Sequence, residues 1–104
     1  MQVWDFLYSY ANNTKADSVI EGVLGKLLSY DSQKPSYALL PTLRAIVQCG
    51  FNLTNAAEVL FIHYNTLKYR YAKICEIIDM DLSDFHNQMQ VYLAISLLRL
   101  RRDW

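Results

Sequence analysis

Asn65, Lys68, Arg70 and Lys73 fall within one stretch of nine residues, preceded by Tyr64 and interleaved with Thr66 and Tyr69. Amide and ammonium groups can donate to and accept from base edges, and guanidinium and ammonium groups can neutralise phosphates. The charge around them is uneven. From Asn52 to Cys75 the bases Lys68, Arg70 and Lys73 face the single acid Glu58, whereas Glu76 to Asp84 holds Glu76, Asp79, Asp81 and Asp84 and no base. The formal net charge of the whole chain is zero. Binding phosphates requires a positive surface, not a positive total, so this local excess points to nucleic acid.

Other chemistries find less support. No nucleophile, base and orienting group form a recognisable set, and no Gly-rich phosphate loop is present, so no enzyme and no cofactor is expected. Cys49, Cys75, His63 and His86 match no zinc spacing, so no metal site is expected. The longest apolar run, Val91–Ile95, is far too short to span a bilayer. The opening MQVWDFLYSY lacks the basic start and cleavage site of an export signal. A cytoplasmic protein with reduced thiols is the expectation.

Any such surface must be held by helices. The chain has 104 residues, 53% hydrophobic and 19% charged, with only 3 Gly and 2 Pro, which fits a single all-α domain. Periodicity predicts six helical segments: Val3–Ala11, Ala16–Leu28, Pro35 to about Gln48, Asn55–Leu60, Tyr64–Ile78 and about Phe85–Arg101. Tyr30 to Lys34 reads as a polar linker. Pro35 suits a first helical turn, Pro41 falls early enough to be tolerated, and Gly50 is a stop. Asn52 or Thr54 can cap the fourth segment, and Asp84 the last. Residues 1–34 read as helices leading into a domain of residues 35–104, the whole forming one compact unit.

Within Leu53–Ile74, Ala56 and Ala57 allow a close helix crossing, Ile62 plugs a corner at Phe61-Ile62-His63, and Leu67, Tyr71, Ile74 and Ile78 form one inward stripe. That is a helix-turn-helix, a helical bundle whose second helix, about 64–78, can lie in the major groove of duplex DNA. The outward face then shows Tyr64, Asn65, Lys68, Tyr69 and Ala72. Tyr64, Asn65, Lys68 and Tyr69 are the candidate base readers; His63, Thr66, Arg70 and Lys73 are the candidate phosphate contacts.

His63, Asn65, Thr66, Leu67, Tyr69 and Arg70 make the pattern HxNTLxYR, which resembles the C-terminal domain of the PucR/CdaR family of bacterial transcription regulators. The resemblance extends upstream through Leu40-Pro41-Thr42-Leu43, Asn52 and Ala56-Ala57, with a leucine-rich lead-in ending at Tyr30-Asp31. Downstream it takes in Ile74, Glu76, Asp81-Leu82 and Ala94, about Leu24 to Leu100 in all. It implies the DNA-binding output domain of a regulator, often an activator, whose sensor domains lie upstream. The chain departs from the family at Tyr64, where relatives often carry a basic or amide residue. It departs again at Tyr71, where a leucine is usual, and at Asp79, where a glycine usually ends the recognition helix.

Several of these residues also have plainer readings. His63 can serve only as a cap, Arg70 can pair with an acid of a neighbouring helix, Tyr69 can cover apolar surface, and Lys73 can be an ordinary solvated charge. Arg99, Arg101 and Arg102 suit the C-terminal dipole of the last helix better than they suit DNA. The main rival function is a helical protein-interaction module that does not bind DNA; an apolar exposed groove in place of a polar face would favour it. The apolar wealth of Val91–Ile95 and Val3–Tyr10 suggests a homodimer or higher oligomer of the full regulator, the alternatives being burial within this domain or beneath upstream domains.

Overall fold

The computed structural model describes residues 14–34 and 38–102, and the predicted segment Val3–Ala11 lies outside them. Among the described residues five helices follow one another: α1 Thr14–Gln33, α2 Leu39–Gln48, α3 Leu53–Leu60, α4 Tyr64–Ile78 and α5 Phe85–Arg102. No strand occurs among the described residues, so the all-α expectation holds. Nor is any described helix long and apolar enough to cross a membrane.

In α1, Ala16, Ile20, Leu24 and Leu27 form a buried stripe, with Val19, Val23 and Leu28 partly buried against the core. The helix nevertheless runs on through Tyr30–Gln33, where a linker was expected. Two contacts account for the extension. Tyr30 packs against the core, and the Asp31 carboxylate accepts the backbone N–H groups of Leu39 and Leu40 at 3.1 and 2.6 Å. Opening the last turn of α1 would leave those two donors at the start of α2 without their acceptor.

The next helix opens at Leu39, later than the predicted Pro35, which lies outside the described residues. Its positional N-cap, Ala38, is left-handed (φ 52°) and offers no side-chain cap, so Asp31 takes that role from the preceding helix. Pro41 is the third residue of α2, where its missing N–H costs little. At the other end, Phe51 N–H reaches Ile46 C=O at 2.8 Å and Gly50 N–H reaches Val47 C=O at 3.0 Å, a Schellman closure around left-handed Gly50.

α1 lies against α5 and α4, and α2 lies against all four other helices. The core runs from Leu24 and Leu27 through Leu43 and Ile46 to Leu67, Ile74, Val91 and Leu97. The start of α1 is tied to the end of α5 by an Asp17–Arg101 ion pair. Arg101 is thereby engaged with a neighbouring helix, beyond the dipole role expected of it.

Candidate nucleic-acid interface

α3 begins two residues earlier than Asn55, at Leu53, because Asn52 is the cap: its side chain accepts the Asn55 N–H at 3.1 Å. Ala56 and Ala57 are both buried, which brings α3 close to α4. The corner is closed by backbone. Ile62 N–H bonds Ala57 C=O at 3.1 Å and Phe61 N–H bonds Glu58 C=O at 3.2 Å, which places Phe61 in the left-handed region (φ 56°). Ile62 packs half-buried against the core, as a corner plug should.

His63 caps α4. Its Nδ1 accepts the Asn65 N–H at 3.1 Å. An accepting Nδ1 carries no proton, so the ring proton sits on Nε2 and remains able to donate outward. α4 spans Tyr64–Ile78 as predicted and ends at Asp79, whose φ of 57° is the left-handed conformation expected there.

Leu67, Ile74 and Ile78 are buried. Tyr71, the fourth member of the inward stripe, is only half-buried. Burial, with Cys75 beside it, pushes its phenol up to about 12. Burial likewise raises the Cys75 thiol. Both groups are therefore held neutral, which suits packing and opposes nucleophilic use.

Opposite the stripe, Tyr64, Asn65, Lys68, Tyr69 and Ala72 are all exposed, as are His63 and Thr66. One end and one face of α4 thus gather amide, hydroxyl, imidazole and ammonium groups beside the positive pole of the helix. Arg70 and Lys73 sit lower on the flank, half-buried. Arg70 Nη1 donates to Thr42 Oγ1 on α2 at 3.3 Å, so its partner is a hydroxyl and not the acid considered above. Lys73 Nζ lies 3.9 Å from Glu76 and 5.8 Å from the centre of the Tyr30 ring. Lys68 Nζ lies 5.7 Å from the centre of the Tyr64 ring.

Sequence reasoning missed three contributors: Asp31, Thr42 and Tyr30. None lies in the helix-turn-helix segment itself. Tyr30-Asp31 stood out only as the end of the lead-in, and Thr42 only as part of a Leu-Pro-Thr-Leu string. Among the described residues no three of His, Cys, Asp and Glu converge as metal ligands.

Residues 39–97 match the family described as the PucR C-terminal helix-turn-helix domain. Among curated proteins, the chain is 41% identical over 73 residues to the proline-responsive transcriptional activator PutR of Bacillus subtilis, an alignment covering 70% of this chain and 18% of PutR. It is 35% identical over 74 residues to the DNA-binding transcriptional activator AdeR of the same organism, covering 71% of this chain and 17% of AdeR. The purine catabolism regulatory protein of Bacillus subtilis is 30% identical over 70 residues, covering 67% of this chain and 13% of that protein. The chain thus spans less than a fifth of the length of these relatives. No solved structure matches significantly.

Proposed function

Since the chain belongs to the PucR C-terminal helix-turn-helix domain family and is a DNA-binding output domain of transcription regulators, we propose that α4 is its recognition helix and docks in the major groove. The observation that carries this reading is the outward face of α4. Asn65, Lys68 and Tyr69 are exposed at the N-terminal half of a helix whose opposite side is buried through Leu67 and Ile74. That half of such a helix reaches base edges.

In this reading Asn65 pairs with adenine and Lys68 donates to guanine acceptors. Tyr69 completes the base-facing surface, and Tyr64 stands on the same face beside Lys68. His63 donates from Nε2 to a phosphate, and Thr66, Arg70 and Lys73 follow the backbone on the flank. Residues 1–34 lead into the DNA-binding unit of residues 35–104, and the two act as one body. Selection of bound duplexes from a randomised pool, followed by footprinting, tests the reading: a defined site with protection in the major groove is expected, and uniform recovery of all sequences would overturn it.

The full regulator is proposed to act as a homodimer or higher oligomer in the bacterial cytoplasm, where two recognition helices would meet two half-sites. The apolar surplus of α5 supports this in part. Val91, Ala94 and Ile95 are buried within the domain, but Tyr92 and Leu93 remain exposed beside Phe85 and Met89. Light scattering of the full-length regulator with its site should give a dimer or more. Sensing of an inducer would fall to other parts of such a regulator.

A further inference from the structure

We infer that Tyr64 serves DNA binding through Lys68: its aromatic ring holds the Lys68 ammonium in place on the outward face of α4, and the ring matters rather than the hydroxyl. The inference rests on the reading of α4 as the recognition helix. Tyr64 is the first residue of α4 and Lys68 lies four residues on, so the two side chains share one face. Both are exposed, and the ammonium stands 5.7 Å from the ring centre, within the reach of a cation–π contact.

The other two bases of the segment are steadied differently. Arg70 is tethered to Thr42, and Lys73 lies between Glu76 and Tyr30. Lys68 is exposed and carries its charge on a flexible four-carbon stem that loses rotamer freedom when it docks. A ring one helical turn below limits that freedom before DNA arrives. The attraction comes from the face of the ring, which phenylalanine also presents. Tyr64 is therefore a positioning residue, and its hydroxyl is dispensable.

The test uses the whole chain and a duplex that the wild-type chain itself selects from a randomised pool. Four variants are compared: Tyr64→Phe, Tyr64→Leu, Lys68→Ala and the Tyr64→Leu/Lys68→Ala double variant. Tyr64→Leu should weaken binding about two- to fivefold, the size of an exposed cation–π contact. Tyr64→Phe should match wild type, and the double variant should bind no more weakly than Lys68→Ala alone. In the free protein the Lys68 ε-methylene protons should show an upfield ring-current shift, kept in Tyr64→Phe and lost in Tyr64→Leu. Equal losses in the Phe and Leu variants, additive losses in the double variant, or no ring-current shift in wild type would overturn the inference. Failure to select any duplex would instead sink the recognition-helix reading, while the ring-current shift still reports on the Tyr64–Lys68 contact.

Discussion

The hydroxyl of Thr42 accepts a hydrogen bond from Arg70 Nη1 at 3.3 Å while donating its own proton to Ala38 C=O at 2.7 Å. Thr42 is buried, so one side chain of α2 fixes both the start of its own helix and the flank of α4. Thr42→Val keeps the shape and removes both bonds. It should cost about 1 kcal/mol of stability, measured by thermal melting. It should also weaken DNA binding for every sequence alike, as the proposed phosphate-contacting role of Arg70 requires. A change in preferred site would contradict that role.

Lys68 and Lys73 should behave differently on DNA. Lys68→Ala should alter the preferred site, with about 1–3 kcal/mol of discrimination lost at one base pair. Lys73→Ala should lower affinity uniformly and reduce the log–log salt slope by about 1. Binding titrations over a panel of single-base site variants at several salt concentrations check both. Identical, uniform losses for the two variants would remove the distinction between reader and positioner.

Asp31, half-buried at the end of α1, should matter for stability more than a polar residue near a helix end usually does. Its carboxylate satisfies two N–H groups at the start of α2, and Ala38 provides no substitute. Asp31→Ala should cost about 1–2 kcal/mol, the upper part of the range for lost caps. Chemical denaturation with an unchanged slope would confirm that only the native state is affected.

Among the described residues Ala38, Phe51, Phe61 and Asp79 carry side chains in the left-handed region that disfavours them, and of these Phe61 and Asp79 are exposed. Phe61→Gly should raise stability by about 1 kcal/mol, and Asp79→Gly by less, since aspartate tolerates the region better. Phe61 is 95% exposed, so little packing is forfeited. Melting temperatures ordered Phe61→Gly, then Asp79→Gly, then wild type are the expected result.

Tyr71 predicts an alkaline limit. Its phenol is raised from 10.0 to about 12 in the folded chain, chiefly by burial and then by Cys75. Between those two values the folded state holds a proton that the unfolded state has released. The contribution to stability is therefore complete below pH 10 and is lost as pH rises towards 12. Tyr71→Phe should flatten the fall in stability over that window. An unchanged slope would mean that Tyr71 ionises normally in the fold.

Much of this protein was legible in its residues. The stripe Leu67–Ile74–Ile78, the paired alanines and the caps His63, Asn52 and Asp84 are local patterns, and local backbone physics places them without help. The bounds of α4 followed for the same reason, and so did the exposed face of Tyr64, Asn65, Lys68 and Tyr69; the left-handed turn at Asp79 followed from the resemblance, in which a glycine usually ends this helix. Tertiary structure decided what depends on residues distant in the chain. Tyr30–Gln33 looks like a polar linker by composition, yet it is helical because Asp31 meets the N–H groups of Leu39 and Leu40 and Tyr30 packs on the core. The partner of Arg70 stands 28 residues away on α2, and the Tyr30 ring beside Lys73 belongs to α1. Periodicity along one helix reports which side faces inward, but not which side chain of another helix it meets there; that is set only when the helices pack.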